Sequence, residues 1–124
     1  MLASDGTDYL NYRASLNCDM GNLEKALEDL DQSLEIVPDS VDVLLIRYRI
    51  HISLEDKERA LADADRLVEL DPSSAIHYYA RGFAYESFDQ HVEAIEALTI
   101  AIDLSPDGET LLDILTQRAL AYFW

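Results

Sequence analysis

The sequence predicts an all-α fold, a solenoid of antiparallel helix pairs, and three observations carry that prediction. Pro38, Pro72 and Pro106 stand 34 residues apart and close the related phrases Leu34-Glu35-Ile36-Val37-Pro38, Val68-Glu69-Leu70-Asp71-Pro72 and Ile102-Asp103-Leu104-Ser105-Pro106. A fixed period of this length marks a stack of like supersecondary units. Each period also splits into two apolar-periodic halves joined by a short polar turn. Finally, hydrophobic residues make up 49% of the 124 positions against only four glycines and three prolines. That is enough for a continuous core with short connections, and it favours helix over strand. A stack of this kind serves mostly as a surface on which something else lies.

Registering the chain on its prolines gives one domain over 1–124, with units at 7–40, 41–74 and 75–108 and a partial fourth at 109–124, about seven helices in all. In the first unit Leu10, Ala14 and Asn17 recur at helical spacing before Cys18-Asp19-Met20-Gly21-Asn22 interrupts them. Gly21 suits the left-handed turn that ends a helix, and Asn22 suits the cap of the next. Leu23, Ala26, Leu27, Leu30 and Leu34 then mark one face of a second helix. The second unit runs from Leu44 through Ile52, turns at 53–56, and resumes with Ala60, Leu61, Ala64, Leu67 and Val68. In the third, Tyr78, Gly82 and Tyr85 lead to a turn near Phe88-Asp89-Gln90, followed by Val92, Ala94, Ile95, Leu98, Ala101 and Ile102. The prolines fall just past the second helices, where a missing N–H and a ring clash forbid continuation. Ser40, Ser73 and Ser74 stand ready to cap the helices that follow.

This pattern resembles the tetratricopeptide repeat, a 34-residue helix–turn–helix. Tyr78, Gly82, Tyr85, Ala94, Leu98, Ala101 and Pro106 of the third unit carry the resemblance most clearly. Ala26, Ala60 and Ala94 share one site of the period, where a small side chain lets paired helices approach. In the first unit Leu10, Ala14 and Asn17 replace the usual aromatic, glycine and tyrosine. The resemblance implies a right-handed superhelical solenoid whose first helices line a concave groove. By period that groove takes Asp8, Asn11 and Ser15, then Asp42, Leu45, Arg49 and Ile52, then Ile76, Tyr79, Phe83 and Glu86. With a three-residue shift, Asp113, Thr116, Leu120 and Phe123 follow. It implies a protein-binding scaffold for a peptide or helix, anchored on Asn11, Leu45, Arg49, Ile52, Tyr79, Phe83 and Leu120. One branch of the family grips chaperone-tail carboxylates with lysine and asparagine from first helices. Here the only lysines are Lys25 and Lys57, neither in a first helix, so an apolar or basic ligand fits better.

Arginine is periodic as well. Arg13, Arg47 and Arg81 are 34 apart, while Arg118 comes 37 residues after Arg81, which suggests three extra residues around Asp107-Gly108-Glu109 or a helix that starts early. Asp29 and Asp63 lie 16 residues after Arg13 and Arg47. Structural ion pairing, within a unit or to the arginine of the next, is the expected use of these groups, ahead of anion binding.

Composition limits the chemistry. With 25 acids against nine bases the formal charge is −16, which repels phosphate backbones and anionic membranes and argues against nucleic-acid binding. The acids are spread along the length, consistent with solubility, and they would also steer a basic partner. Cys18 is alone, so neither a disulfide nor a thiolate metal site is expected. His51, His77 and His91 occupy unrelated sites of the period, and no catalytic, phosphate-loop or calcium-loop spacing occurs. The expectation is therefore no enzyme, no cofactor and no metal. No apolar run reaches the roughly 18 residues of a membrane span, and residues 1–6 do not read as a signal peptide. A cytoplasmic setting is favoured, with export left open for a fragment.

The last segment is apolar on more than one side, from Leu111, Leu112, Ile114 and Leu115 to Leu120, Tyr122, Phe123 and Trp124. A terminal repeat ought to show a polar outer face. Leu115, Phe123 and Trp124 are therefore candidate contacts to another copy, and self-assembly of a structural segment is the alternative function.

Overall fold

The structure is a computed structural model that describes residues 6–105. Within them lie six helices and no strand: α1 (Thr7–Asp19), α2 (Leu23–Ile36), α3 (Val41–Ser53), α4 (Lys57–Leu70), α5 (Ala75–Ser87) and α6 (His91–Leu104). The seventh expected helix, with Leu115, Leu120, Phe123 and Trp124, falls outside the described residues, as does Pro106. None of the described helices is long and apolar enough to cross a membrane.

The helices pack in sequence as pairs, α1 on α2, α3 on α4 and α5 on α6, and each pair then leans on the next. α2 packs on α3, α4 packs on α5, and α3 also meets α5. The fold is thus an all-α tetratricopeptide-like solenoid.

Local chemistry explains the turns within each pair. Gly21, Glu55 and Asp89, again 34 apart, all hold a left-handed backbone with φ near 80°, 60° and 61°. The residue after each closes back five positions: Asn22 N–H to Asn17 O, Asp56 N–H to His51 O and Gln90 N–H to Tyr85 O, at 2.7, 2.8 and 3.0 Å. This is the closure that satisfies the last carbonyls of a helix, and only the first uses the glycine best suited to it. Capping follows the expectation unevenly. Ser74 Oγ accepts from His77 N–H at 3.3 Å and Asp56 accepts from Arg59 N–H at 3.2 Å. Asn22 and Ser40 hold cap positions without a side-chain bond. Ser73 turns instead to Asp71, its hydroxyl 2.7 Å away, which holds that carboxyl below its ordinary range.

Inside, Ala26, Ala60 and Ala94 are fully buried where helices of a pair cross. Bulk is then supplied from either side of the crossing. Ala14 shares a cluster with Leu30, and Tyr48 shares one with Ala64. Gly82 lies under Leu98, so close that an added Cβ would stand 2.6 Å from two of its carbons. The clusters cross repeat boundaries. Val43 and Ile50 of α3 join the α1/α2 cluster, and Ala80 and Ala84 of α5 join the α3/α4 cluster. Leu34 packs against both. Each fully buried leucine contributes roughly 1.5–3 kcal/mol, so no pair owns its core alone.

Candidate functional site

Successive first helices contribute the side chains that matter most. On α3, Leu45 and Arg49 sit one turn apart. Leu45 is half-buried against the α3/α4/α5 cluster and Arg49 is exposed. From α5, Tyr79 and Phe83 stack with ring centroids 6.3 Å apart and planes inclined by 23°. The Arg49 guanidinium carbon lies 5.8 Å from the centre of the Phe83 ring, close enough for a cation–π contact between neighbouring first helices. Ile52 and Phe83 are half-buried against the same cluster as Leu45. Tyr79 packs against the α5/α6 cluster. Tyr48, next to Arg49, is buried, and burial pushes its phenol up to about 12.

Asn11 is placed differently. Its side-chain carbonyl accepts a hydrogen bond from Ser33 Oγ of α2 at 2.8 Å. That bond gives the buried Ser33 a partner, so Asn11 helps tie α1 to α2. Leu120 lies outside the described residues.

Beside Leu45 and Arg49 opens a hollow of about 450 Å³, also lined by Cys18, Leu23, Ile46, Ile50 and Ser53. These five were not singled out as binding residues. Cys18 was readable by period, being 34 before Ile52; Leu23 was not, because it starts a second helix. Burial raises the Cys18 thiol, so it presents a neutral, apolar wall. The hollow thus offers apolar sides with the exposed Arg49 cation at the rim.

The periodic arginines form a ladder on the side where paired helices face each other. Arg13 Nε and Nη2 donate to Asp29 at 2.9 and 2.6 Å. Arg47 repeats this fork on Asp63 at 2.9 and 2.7 Å, and its Nη1 reaches Asp31 of the preceding helix at 2.9 Å. Arg81 contacts Asp65 at 3.1 Å, and Ala97 occupies the site of Asp29 and Asp63. Both geometries expected from the sequence therefore occur, within a repeat and across to the next. His51 is buried with Nε2 3.8 Å from Asp63, and burial lowers its pKa. His91 pairs with Glu86 at 2.8 Å across the last turn. The ladder pins helices together; its carboxylates are engaged by arginine, as an ion-pair scaffold requires.

Comparison with known proteins agrees with this architecture. A tetratricopeptide repeat family model matches residues 48–119. No curated protein matches the chain. Among solved structures, the first TPR of Spaghetti (RPAP3) bound to HSP90 peptide SRMEEVD is 18% identical with a TM-score of 0.79, covering 99% of this chain and 98% of that one. The TPR2B domain of yeast Sti1, in its pHsp70 complex, is 16% identical with a TM-score of 0.86, covering 97% and 98%. A tetratricopeptide repeat protein from Parabacteroides merdae ATCC 43184 is 25% identical with a TM-score of 0.80; the match covers 92% of this chain but 43% of that one. With a family match over more than half its length and the same stacked helix pairs, the chain belongs to the tetratricopeptide repeat family.

Proposed function

We propose that this chain is a non-catalytic protein-interaction module in which the exposed side of α1, α3 and α5 receives a peptide or helix of a partner protein. The observation that carries the reading is the apolar hollow beside Leu45 and Arg49, continued by the Tyr79–Phe83 stack on the next first helix. An apolar side chain entering it would leave water against Leu45, Ile46 and Ile50, gaining about 1.5–3 kcal/mol if fully buried. Aromatic and arginine side chains of this kind commonly dominate binding energy at interfaces. Relatives of the same fold solved with HSP90 and pHsp70 ligands support peptide capture as a use of the architecture. The ligand here differs from an acidic tail. The acidic excess and the absence of lysine from the first helices favour apolar and basic side chains on the partner.

The test is capture from the native source by the full chain, read by mass spectrometry, against two variants. The triple change Leu45→Ala, Tyr79→Ala and Phe83→Ala removes the apolar anchors. Arg49→Glu keeps every apolar anchor in place and reverses the rim charge. A partner retained by the unmodified chain and lost by both variants supports the reading; capture that survives both, with helical content intact, ends it.

A further inference from the structure

α1 carries a second surface, on the side away from α2. Tyr9, Tyr12, Leu16 and Met20 recur at i, i+3, i+7 and i+11, which places them on one stripe of the helix. They are 62, 66, 44 and 71% exposed. Large apolar and aromatic side chains exposed together along one stripe point to an interaction site.

The chain itself shows what such a stripe accepts. One period later the same sites hold Val43, Ile46, Ile50 and Leu54, of which Leu54, at the site of Met20, stays exposed. Val43 and Ile50 are buried in a cluster with Leu30 of α2, Ile46 is half-buried against it, and Leu27 and Leu34 flank it. Two periods later Ala80 and Ala84 are buried in a cluster that Leu61 of α4 flanks. In both cases the covering helix also supplies a carboxylate to the arginine beside the stripe, Asp31 to Arg47 and Asp65 to Arg81. The covering face thus reads Leu27, Asp31, Leu34 in α2 and Leu61, Asp65 in α4, with Val68 at the site of Leu34 by period.

Arg13 stands at the same site of the period but, among the described residues, meets no second carboxylate. The nitrogen equivalent to the one that reaches Asp31 in Arg47, Nη1, points in Arg13 to the Tyr9 hydroxyl at 3.4 Å. The guanidinium rests over the Tyr9 ring at 5.2 Å. Apolar stripe and half-engaged arginine are the two halves of an interface whose other side is written in α2 and α4.

We propose that this face of α1 docks an amphipathic helix of a partner protein bearing leucine at i, aspartate at i+4 and a branched apolar residue at i+7. The apolar pair covers Tyr12 and Leu16, and the aspartate takes Arg13 Nη1 from Tyr9. The site is separate from the hollow beside Leu45, so either can fail without the other.

The probe is a fluorescein-labelled synthetic peptide of residues 22–37 of this chain. A lactam joins its Lys25 and Asp29 side chains, on the helix face opposite Leu27 and Leu34. The bridge holds the helix, and it removes the carboxylate with which the peptide would otherwise displace α2 from Arg13. Titrated against the full isotopically labelled chain, the peptide should bind with amide shifts centred on α1. Leu16→Asp or Tyr12→Ser in the chain, both exposed changes that spare the core, should weaken binding by about tenfold or more. Asp31→Asn in the peptide should weaken it several-fold, roughly as losing one charged hydrogen bond would. Absence of binding, binding indifferent to Leu16→Asp, or shifts centred on Leu45 and Phe83 would overturn the proposal. So would sedimentation showing a dimer of the chain that Leu16→Asp dissolves, because a second copy would then cover the stripe.

Discussion

The second and third repeats wind the same backbone and fill it by opposite means. Between α3 and α4 the bulk comes from the first helix, Tyr48 against the fully buried Ala64. Between α5 and α6 it comes from the second, Leu98 reaching over Gly82. Charge diverges in parallel. Arg47 is held from both sides by Asp31 and Asp63, whereas Arg81 meets Asp65 and finds Ala97 opposite. What recurs along the chain is therefore the space between helices and the need to fill it once. The residue that does so is free to change sides, provided its partner shrinks.

The largest effect should come from breaking that exchange of volume. Gly82→Tyr copies the second repeat into the third while Leu98 still fills the gap, and urea denaturation should show a loss of about 3 kcal/mol or more. Adding Leu98→Ala should return part of it, with a coupling of about 1–3 kcal/mol. Strictly additive losses would mean the two sites do not trade bulk.

The charge difference is tested next. Asp63→Asn strips Arg47 of its forked, nearly buried partner and should cost about 2 kcal/mol, since a half-buried guanidinium stays behind. Asp65→Asn should cost less than about 1 kcal/mol. Burial already raises the Asp65 carboxyl above its ordinary range, so its ionised form is a weaker asset. Equal losses at the two sites would contradict the contrast between two-sided and one-sided arginines.

A smaller effect concerns His51, whose site in the third repeat is held by Tyr85. Burial depresses the His51 pKa below its ordinary 6.5, so on acidification the unfolded chain takes up the proton first. Its contribution is present above 6.5 and is lost as pH falls from there through the folded pKa. His51→Asn, the residue type of the first repeat, should flatten the stability change between pH 7.5 and 5.5 in denaturant titrations. An unchanged slope would assign the acid sensitivity elsewhere.

The smallest effect separates the first repeat from the other two. Glu55 holds φ near 60° where Gly21 serves the equivalent turn. Glu55→Gly should raise stability by up to about 1 kcal/mol, and Gly21→Ala should lower it by a similar amount. Thermal melts of the two variants that moved in the same direction would refute the assignment of strain.

The helices, their pairing and the left-handed role of Gly21 were legible in the sequence, because proline, glycine and apolar spacing act over a few residues. The Arg13–Asp29 and Arg47–Asp63 pairs were legible for a similar reason: two facing helices of known period bring residues 16 apart together. Glu55 and Asp89 were not readable as left-handed, since neither prefers that backbone as glycine does, and their turns are imposed by the packing on either side. The hollow was half readable. Leu45 and Arg49 follow from the period, but Leu23 enters it from a second helix, and no spacing within one helix reports a neighbour. Asn11 sat at a groove position by period and proved to bond Ser33 of α2.

Period and composition alone dictated that the chain would be helical, paired and stacked, since each of those choices is made by short-range sterics and by which face must leave water. Stacking itself settled the rest: which helix supplies the bulk at each crossing, that Arg47 is claimed from two sides and Arg13 from one, and that Tyr9, Tyr12, Leu16 and Met20 remain in solvent among the described residues. Those outcomes depend on distances between segments remote in sequence, and such distances exist only once the pairs have closed on one another.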